Sequence, residues 1–237
     1  MKSKDGESLI KPQPLKGFGQ RTVLYVPMNL PSFKIQNVLK DKAKYEKITP
    51  MGHLYGFANS VVLAQCVGAP LAVMALERLI ASGAKEIIIL GFCGALDECT
   101  DIGQAVSVTK ALSDEGTSKH YFSRKRLFRA SSKLRTRVEN TLADRALSFV
   151  NGPVVSTDAP FRETRIWLDR NRKKGIAYVD METSAVFALA HFYGIHAAAL
   201  HMVSDTLTST SHRMGFHSLK LARNIQRYFL PFIDPKR

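Results

Sequence analysis

Two carboxylates, Glu182 and Asp205, have the residue type and the spacing needed to hold one small molecule from two sides. The pattern around them predicts a strand over 176–179, a helix over 181–193 and a second strand over 195–203. A strand, a helix and a strand in this order form a βαβ unit. Ligands of open α/β sheets bind outside the carboxyl ends of the strands. We therefore expect Glu182, in the first helical turn, and Asp205, just past the second strand, to face one ligand.

Each acid also has a purely structural explanation. A helix dipole favours an acid at the helix start, and Asp is common in the turn that ends a strand. For either residue alone, that explanation is the simpler one. The spacing of the two acids, together with Met181 beside Glu182, favours a shared binding site.

Strands and helices alternate along the rest of the chain. Further strands are predicted at 22–26, 61–67, 86–90, 104–109 and near 149–156, and further helices near 33–44, 70–82, 131–145, 164–174 and 216–229. Such alternation indicates an α/β protein with three layers. Residues 1–20, rich in Pro, Gly and charge, are predicted to be a flexible extension, and residues 21–237 a single domain.

The net charge of +14 is the most unusual bulk property, and residues 116–138 contain eight Lys or Arg and no acid. Such a run could follow a nucleic-acid backbone. A solvated, basic surface explains it as well, and no recognition motif accompanies the charge, so we do not expect nucleic-acid binding. The same charge would attract small phosphorylated ligands.

Composition also sets expectations about location and cofactors. No apolar stretch approaches the roughly 18 to 20 residues of a membrane span, and the first residues lack the apolar core of a signal peptide. A soluble, cytoplasmic protein is expected. The three cysteines, Cys66, Cys93 and Cys99, have neither disulfide-framework nor zinc-site spacing. We expect free thiols, no metal and no organic cofactor.

Two loop segments add candidate ligand contacts. The glycines of Gly91-Phe-Cys-Gly94 can let a backbone approach a ligand closely, although a tight turn is the simpler explanation. Phe161 lies on a predicted loop with Arg165. An exposed ring can stack on a flat heterocycle, and Arg can hydrogen bond to a carbonyl edge.

Several of these motifs, in this order, resemble the nucleoside phosphorylase superfamily of purine nucleoside and uridine phosphorylases, especially its uridine phosphorylase-like branch. The matching blocks are Val179-Asp-Met-Glu-Thr-Ser-Ala, Gly91-Phe-Cys-Gly-Ala-Leu, Ser204-Asp205, Asp114-Glu-Gly-Thr-Ser-Lys-His-Tyr and Thr157-Asp-Ala-Pro-Phe. The resemblance implies a three-layer α/β/α fold with a central mixed, mostly parallel sheet. It also implies a homo-oligomer, such as a dimer or a trimer of dimers, that acts on a small nucleoside.

The resemblance assigns the ribose to two residues. Glu182 would hold the 2′ and 3′ hydroxyls, which suits an ionised carboxylate, and Met181 would pack on the sugar. It also assigns four residues to the base: Phe161 would stack on it, Arg165 would read a carbonyl of it, and Cys93 and Gly94 would line it.

Bond cleavage is assigned to the Ser204-Asp205 pair. Asp205 would protonate the purine N7, or hold a proton there, as the glycosidic bond breaks, which requires a carboxyl that keeps a proton available. Arg213 would assist Asp205.

The phosphate site departs from the family pattern. The phosphorylases use a Gly-Asp-Pro loop with an Arg, where this chain has the sequence of residues 27–34, and an Arg and a Ser or Thr where it has Ile89 and Phe92. Lys34 and His53 are the candidate substitutes for the missing cations. The early Glu of the hydrolytic nucleosidases is missing too. The prediction is phosphorolysis with inorganic phosphate as co-substrate, with hydrolysis by water or binding without catalysis as alternatives.

Overall fold

The computed structural model describes residues 8–28, 35–97 and 99–234. Eleven strands and six helices are formed by these residues: β1 Thr22–Val26, α1 Ile35–Lys42, β2 Tyr45–Thr49, β3 Gly52–Gly56, β4 Ser60–Ala64, α2 Ala69–Ala81, β5 Glu86–Ala95, β6 Ala105–Asp114, β7 Leu127–Arg129, α3 Ser132–Ala143, β8 Val150–Thr157, α4 Arg165–Lys173, β9 Tyr178–Asp180, α5 Thr183–Tyr193, β10 His196–Leu207, β11 His212–Met214 and α6 Leu219–Ile233. The α/β class predicted from the alternation is confirmed.

All eleven strands belong to one mixed sheet in the order β11-β10-β6-β8-β9-β5-β1-β4-β3-β2, with β7 on β6. Strand β5 also pairs with β10, so β5, β10, β6, β8 and β9 close into a ring. The pairs β1–β4, β1–β5, β5–β10, β6–β8 and β8–β9 are parallel.

The sheet is mixed and mostly parallel, as predicted. Within the described residues, 29 residue pairs are parallel and 20 are antiparallel, although six of the eleven strand pairings are antiparallel. Four of these six involve the short strands β2, β3, β7 and β11, which were not predicted. The other two, β5–β9 and β6–β10, help to close the ring. These four strands carry no continuous apolar run or clear alternation by which they could be recognised in the sequence.

The central strands are buried on both faces. In β1, Val23 and Tyr25 pack in the apolar cluster that contains α2 and α5, whereas Leu24 and Val26 pack in the cluster that contains α1, α3 and α6. Alternate residues of a strand point to opposite faces, so this division places helices on both sides of the sheet. It produces the three-layer arrangement and explains the continuous apolar run at 87–90.

Part of the N-terminal extension packs on the domain. Leu15 and Phe18 are buried in the same cluster as α2, and the Leu15 N–H donates to Ser82 Oγ over 2.7 Å. The description as a flexible extension is therefore wrong for residues 15–18. Apolar side chains there find a groove beside α2 that Pro and Gly content could not reveal.

Candidate active site

A cavity of about 370 Å³ opens where β5, β9 and β10 end, and both Glu182 and Asp205 line it. The same cavity is lined by four other predicted site residues: Met181, Phe161, Cys93 and Gly94. Ser204 also lines it, beside Asp205. The βαβ unit therefore brings the two acids to one cavity, as the sequence predicted.

Glu182 is buried directly before the first turn of α5. Its Oε1 accepts a hydrogen bond of 2.7 Å from the Gly68 N–H, which comes from the start of α2. Burial, followed by the charge of Asp180, raises the pKa of Glu182 to about 8. This shift favours the protonated carboxyl at neutral pH.

A buried polar network fixes the start of α5 behind Glu182. Asp180 Oδ2 accepts hydrogen bonds from the Thr183 N–H, at 2.9 Å, and from the Thr183 hydroxyl. His201 Nε2 lies 2.8 Å from Thr183 Oγ1 and 3.4 Å from Asp180 Oδ2. Burial by itself would raise the pKa of Asp180, but the hydrogen bonds and the charge of His201 hold it below its ordinary value. The helix therefore begins at Thr183, two residues later than predicted.

Glu115 supports the same helix from another strand. Its Oε1 accepts hydrogen bonds from Ser113 Oγ at 2.7 Å and from Ser184 Oγ at 2.9 Å. Burial opposes ionisation, but bonds from Ser118, Ser113 and Ser184 lower the pKa of Glu115. The block 114–121 was matched to the family without a role. Its acid, Glu115, stabilises the start of α5 through the hydrogen bond from Ser184.

Asp205 lies inside β10, because that strand continues to Leu207 and pairs there with β11. The prediction of a strand end at Val203 was wrong, since β11 was not recognised. A register shift between Val203 and Asp205 interrupts the pairing with β5 at this point. Bulges of this kind re-aim a side chain, and here Asp205 lines the cavity.

Three neighbours define the position of the Asp205 carboxylate. Ser204 Oγ donates to Oδ1 over 2.6 Å, and His212 Nε2 lies 3.0 Å from Oδ2. A Cβ on Gly94 would lie 2.9 Å from Oδ2, so the glycine leaves the space that the carboxylate occupies. Gly91-Phe-Cys-Gly94 was predicted to be a loop, but it is part of β5.

Glu163 is a cavity-lining acid that the sequence reasoning missed. It directly follows a short 3-10 turn, Pro160–Arg162, and no hydrogen bond or ion pair joins its carboxyl to any described residue. Burial, followed by the charge of Asp205, raises the pKa of Glu163 to about 7, while His212 opposes the change. Its position on the predicted loop between Phe161 and Arg165 was the available signal.

Arg165 and Arg213 are not brought to this cavity. Arg165 is an exposed residue at the start of α4, and Arg213 is exposed on β11, between His212 and Met214. Strand alternation turns Arg213 away from the face of His212, so the residue that contacts Asp205 is His212.

The predicted phosphate ligand His53 does not line the cavity. His53 is buried in β3, where its Nδ1 lies 2.9 Å from the Tyr55 hydroxyl and its Nε2 lies 3.5 Å from Glu46 Oε2. Lys34 lies outside the described residues. Where the family pattern has phosphate ligands, Ile89 is fully buried and the Phe92 ring packs against Phe216.

The cavity is acidic. Its described lining contains four carboxylates and one imidazole, but no Lys or Arg: Glu163, Asp180, Glu182, Asp205 and His212. In the described part of the chain, no group of three or more His, Cys, Asp or Glu side chains is placed to hold a metal ion. No described helix is both long and apolar enough to cross a membrane.

The sequence model of the phosphorylase superfamily matches residues 40–231 of this chain. The chain belongs to that superfamily. Its members include relatives of known name: a guanosine phosphorylase of Halorubrum lacusprofundi is 30% identical over 155 residues, which span 65% of this chain and 64% of the relative. A DeoD-type purine nucleoside phosphorylase of Caldanaerobacter subterraneus subsp. tengcongensis is 27% identical over 186 residues, 73% of this chain and 77% of the relative.

Solved structures support the superfamily fold. Purine nucleoside phosphorylase from Toxoplasma gondii, in complex with immucillin-H, superposes with a TM-score of 0.75 over 89% of each chain at 18% identity. Uridine phosphorylase from Vibrio fischeri ES114 gives a TM-score of 0.70 over 88% of each chain at 20% identity. The resemblance to the nucleoside phosphorylase superfamily is confirmed.

Proposed function

We propose that this protein is a pentosyltransferase of the nucleoside phosphorylase type, which cleaves the N-glycosidic bond of a purine or uridine-type nucleoside to the free base and ribose 1-phosphate. One observation carries the proposal: Glu182 and Asp205 line a single cavity of about 370 Å³. A nucleoside has a diol at one end and a heterocycle at the other, which suits two carboxylates with different tasks.

Glu182 would bind the ribose. An ionised carboxylate accepts a hydrogen bond from each of two adjacent hydroxyls. The Gly68 N–H already fixes the carboxyl by its bond to Oε1. Met181, on the cavity wall beside it, would cover the sugar.

The base would lie against the other wall. The Phe161 side chain is fully exposed at the cavity, so stacking on a heterocycle would remove apolar surface from water. Cys93 and Gly94 would line the base, and a carboxyl near Asp205 would supply the proton that makes the base a better leaving group. Arg165 and Arg213 enter this proposal only if the segments that carry them move.

The proposed acceptor of the ribosyl group is inorganic phosphate. The named relatives are phosphorylases, which supports this choice. Lys34, or a group such as His53 from a second copy, would then provide the positive charge. Hydrolysis is the second candidate, because four carboxylates and no Lys or Arg among the described lining residues favour a neutral nucleophile over a dianion.

A nucleoside panel tests these alternatives. The purified protein is incubated with guanosine, inosine, adenosine and uridine, with and without phosphate, and free base is measured. Phosphate-dependent release supports the proposal, and phosphate-independent release supports hydrolysis. Binding without release would contradict both enzymatic functions. Light scattering on the same sample tests the expected homo-oligomer.

A further inference from the structure

Two carboxyls share the base end of the cavity, and their surroundings differ. Both oxygens of Asp205 have partners, Ser204 Oγ at 2.6 Å and His212 Nε2 at 3.0 Å. Glu163 has no hydrogen bond or ion pair with any described residue, although it is partly buried and lines the same cavity. Its carboxyl is therefore open to a hydrogen bond with a ligand in the cavity.

The Asp205 carboxyl is the acceptor between two donors. Ser204 Oγ donates to Oδ1, and an imidazole N–H at His212 Nε2 is the donor that suits a carboxylate oxygen at 3.0 Å. Asp205 cannot give a proton to a ligand without first losing one of these bonds.

We propose that Glu163 protonates the departing base, and that Asp205, held by His212 and Ser204, is a positioning residue whose negative charge keeps the proton on Glu163. This inference rests on the proposed function and names the acid within the same site. Burial and the charge of Asp205 raise the pKa of Glu163 to about 7, which suits a general acid at neutral pH. Two acids whose surroundings differ in this way divide the acid and charge-stabilising roles between them.

In the cleavage step, the bond between C1′ and N9 breaks, and its electron pair goes to the base. The proton of the Glu163 carboxyl moves to N7, which leaves Glu163 ionised. Phosphate or water forms the new bond to C1′ and releases its proton to solvent. Glu163 then takes up a proton from solvent.

The charged groups that act on Glu163 set the sign of the pH effect. Asp205 on β10 favours the protonated acid, and His212 on β11 opposes it. As pH rises through about 7, the protonated fraction of Glu163 falls. The rate of nucleoside cleavage should fall with it, because the donor is lost.

The test uses two leaving groups. Guanosine needs protonation of N7, whereas the base of 7-methylguanosine is already cationic and leaves without it. Glu163→Gln keeps the side-chain shape but has no acidic proton. It should lower kcat for guanosine about 10²- to 10⁴-fold and leave kcat for 7-methylguanosine within a few-fold. The loss of rate above pH 7 should also disappear.

Asp205→Asn and Arg162→Gln are the comparisons. Arg162 is exposed and absent from the cavity wall, so its variant should behave like the parent with both substrates. The assignment to Glu163 would be overturned if Glu163→Gln lost both activities equally. It would also be overturned if Asp205→Asn, and not Glu163→Gln, lost guanosine cleavage while it retained 7-methylguanosine cleavage. A parent that cleaves neither substrate would overturn the proposed function itself.

Discussion

At the scale of single residues, the site depends on acids whose protonation follows from burial. Glu182 is buried and has a pKa raised to about 8, although its sequence context predicted only an ionised diol ligand. The residue type was predictable because the motif around Met181 and Glu182 is local. The protonation state was not, because the chain that buries Glu182, such as Gly68, 114 residues away, reaches it only in the fold.

Nucleoside binding should therefore be linked to proton release. Two ribose hydroxyls donate more strongly to the ionised form of Glu182, which accepts at both oxygens, so binding lowers its pKa and expels a proton below about pH 8. Affinity should rise with pH up to about 8 and then level off. Calorimetry at pH 7 in two buffers of different ionisation enthalpy measures the protons released.

Glu182→Gln is the matched variant for this prediction. It should bind nucleoside about 10- to 100-fold more weakly, because a hydrogen bond to a charged group is lost, and release fewer protons than the parent. Glu163→Gln serves as control for the other acid of the cavity. Equal proton release by the parent and Glu182→Gln would contradict the assigned role.

Gly94→Ala tests the close approach of β5 to Asp205. The new Cβ would lie 2.9 Å from Asp205 Oδ2 and 3.1 Å from Val179 Cγ1. One of these groups must move, so we expect at least a tenfold loss of kcat and a destabilisation of about 1–3 kcal/mol. In Gly116→Ala the nearest atom is 3.4 Å away, and activity should persist. Parent-like activity in Gly94→Ala would show that Asp205 tolerates displacement.

At the scale of elements, α5 connects sequence to site. Its apolar composition predicts a buried helix, and residues 183–190 are all buried. The βαβ unit and the strands at 22–26 and 86–90 follow from periodicity and length, so they were predictable. The strand β11, which extends β10 past Asp205, has only three residues and is recognisable only through its pairing with β10. For the same reason, Arg213 was predicted where His212 makes the contact.

The polar network behind α5 should be important for stability. Thr183→Val removes the hydroxyl that bonds Asp180 and His201, and leaves buried polar groups with fewer partners. We expect a loss of about 1–3 kcal/mol in the free energy of unfolding, measured by urea denaturation. Thr183→Ser keeps the hydroxyl and should recover most of it. Equal destabilisation by Ser and Val would attribute the effect to packing of the methyl group.

At the scale of the whole molecule, strand pairing across long sequence distances builds the cavity. Strands β5 and β10 pair in parallel over most of their length, and the ring through β6, β8 and β9 brings Glu163, Glu182 and Asp205 together. The sequence indicated the α/β class but not this closure, because four of its five pairings, β5–β10, β6–β10, β5–β9 and β6–β8, join residues more than 40 apart. The three acids therefore also affect the stability of the fold.

Stability should decrease as pH rises from about 4.5 to about 8. In this window the folded protein keeps the Glu182 proton that the unfolded chain, with its pKa near 4.5, has lost. The stabilisation is complete below the lower value and is lost as pH rises through the higher one. Urea denaturation at pH 5, 6, 7 and 8 should give a flatter profile for Glu182→Gln than for the parent.

Glu86→Gln is the control for this profile. The hydrogen bond from Arg137 is the main cause that lowers the pKa of Glu86. The contribution of Glu86 to the free energy of unfolding therefore changes below pH 4.5. The slope between pH 5 and 8 should therefore persist in that variant. If the free energy of unfolding of Glu182→Gln changed with pH as steeply as that of the parent, the buried, protonated state of Glu182 would be contradicted.

A crystal structure with a non-hydrolysable C-nucleoside tests the central claim most directly, because its carbon–carbon glycosidic bond cannot be cleaved during the experiment. We expect the 2′ and 3′ hydroxyls within about 2.6–3.2 Å of the Glu182 carboxylate, and the base between Phe161 and the side of the cavity formed by Asp205 and Glu163. A ribose bound away from Glu182, or a base that contacts neither Asp205 nor Glu163, would contradict the account.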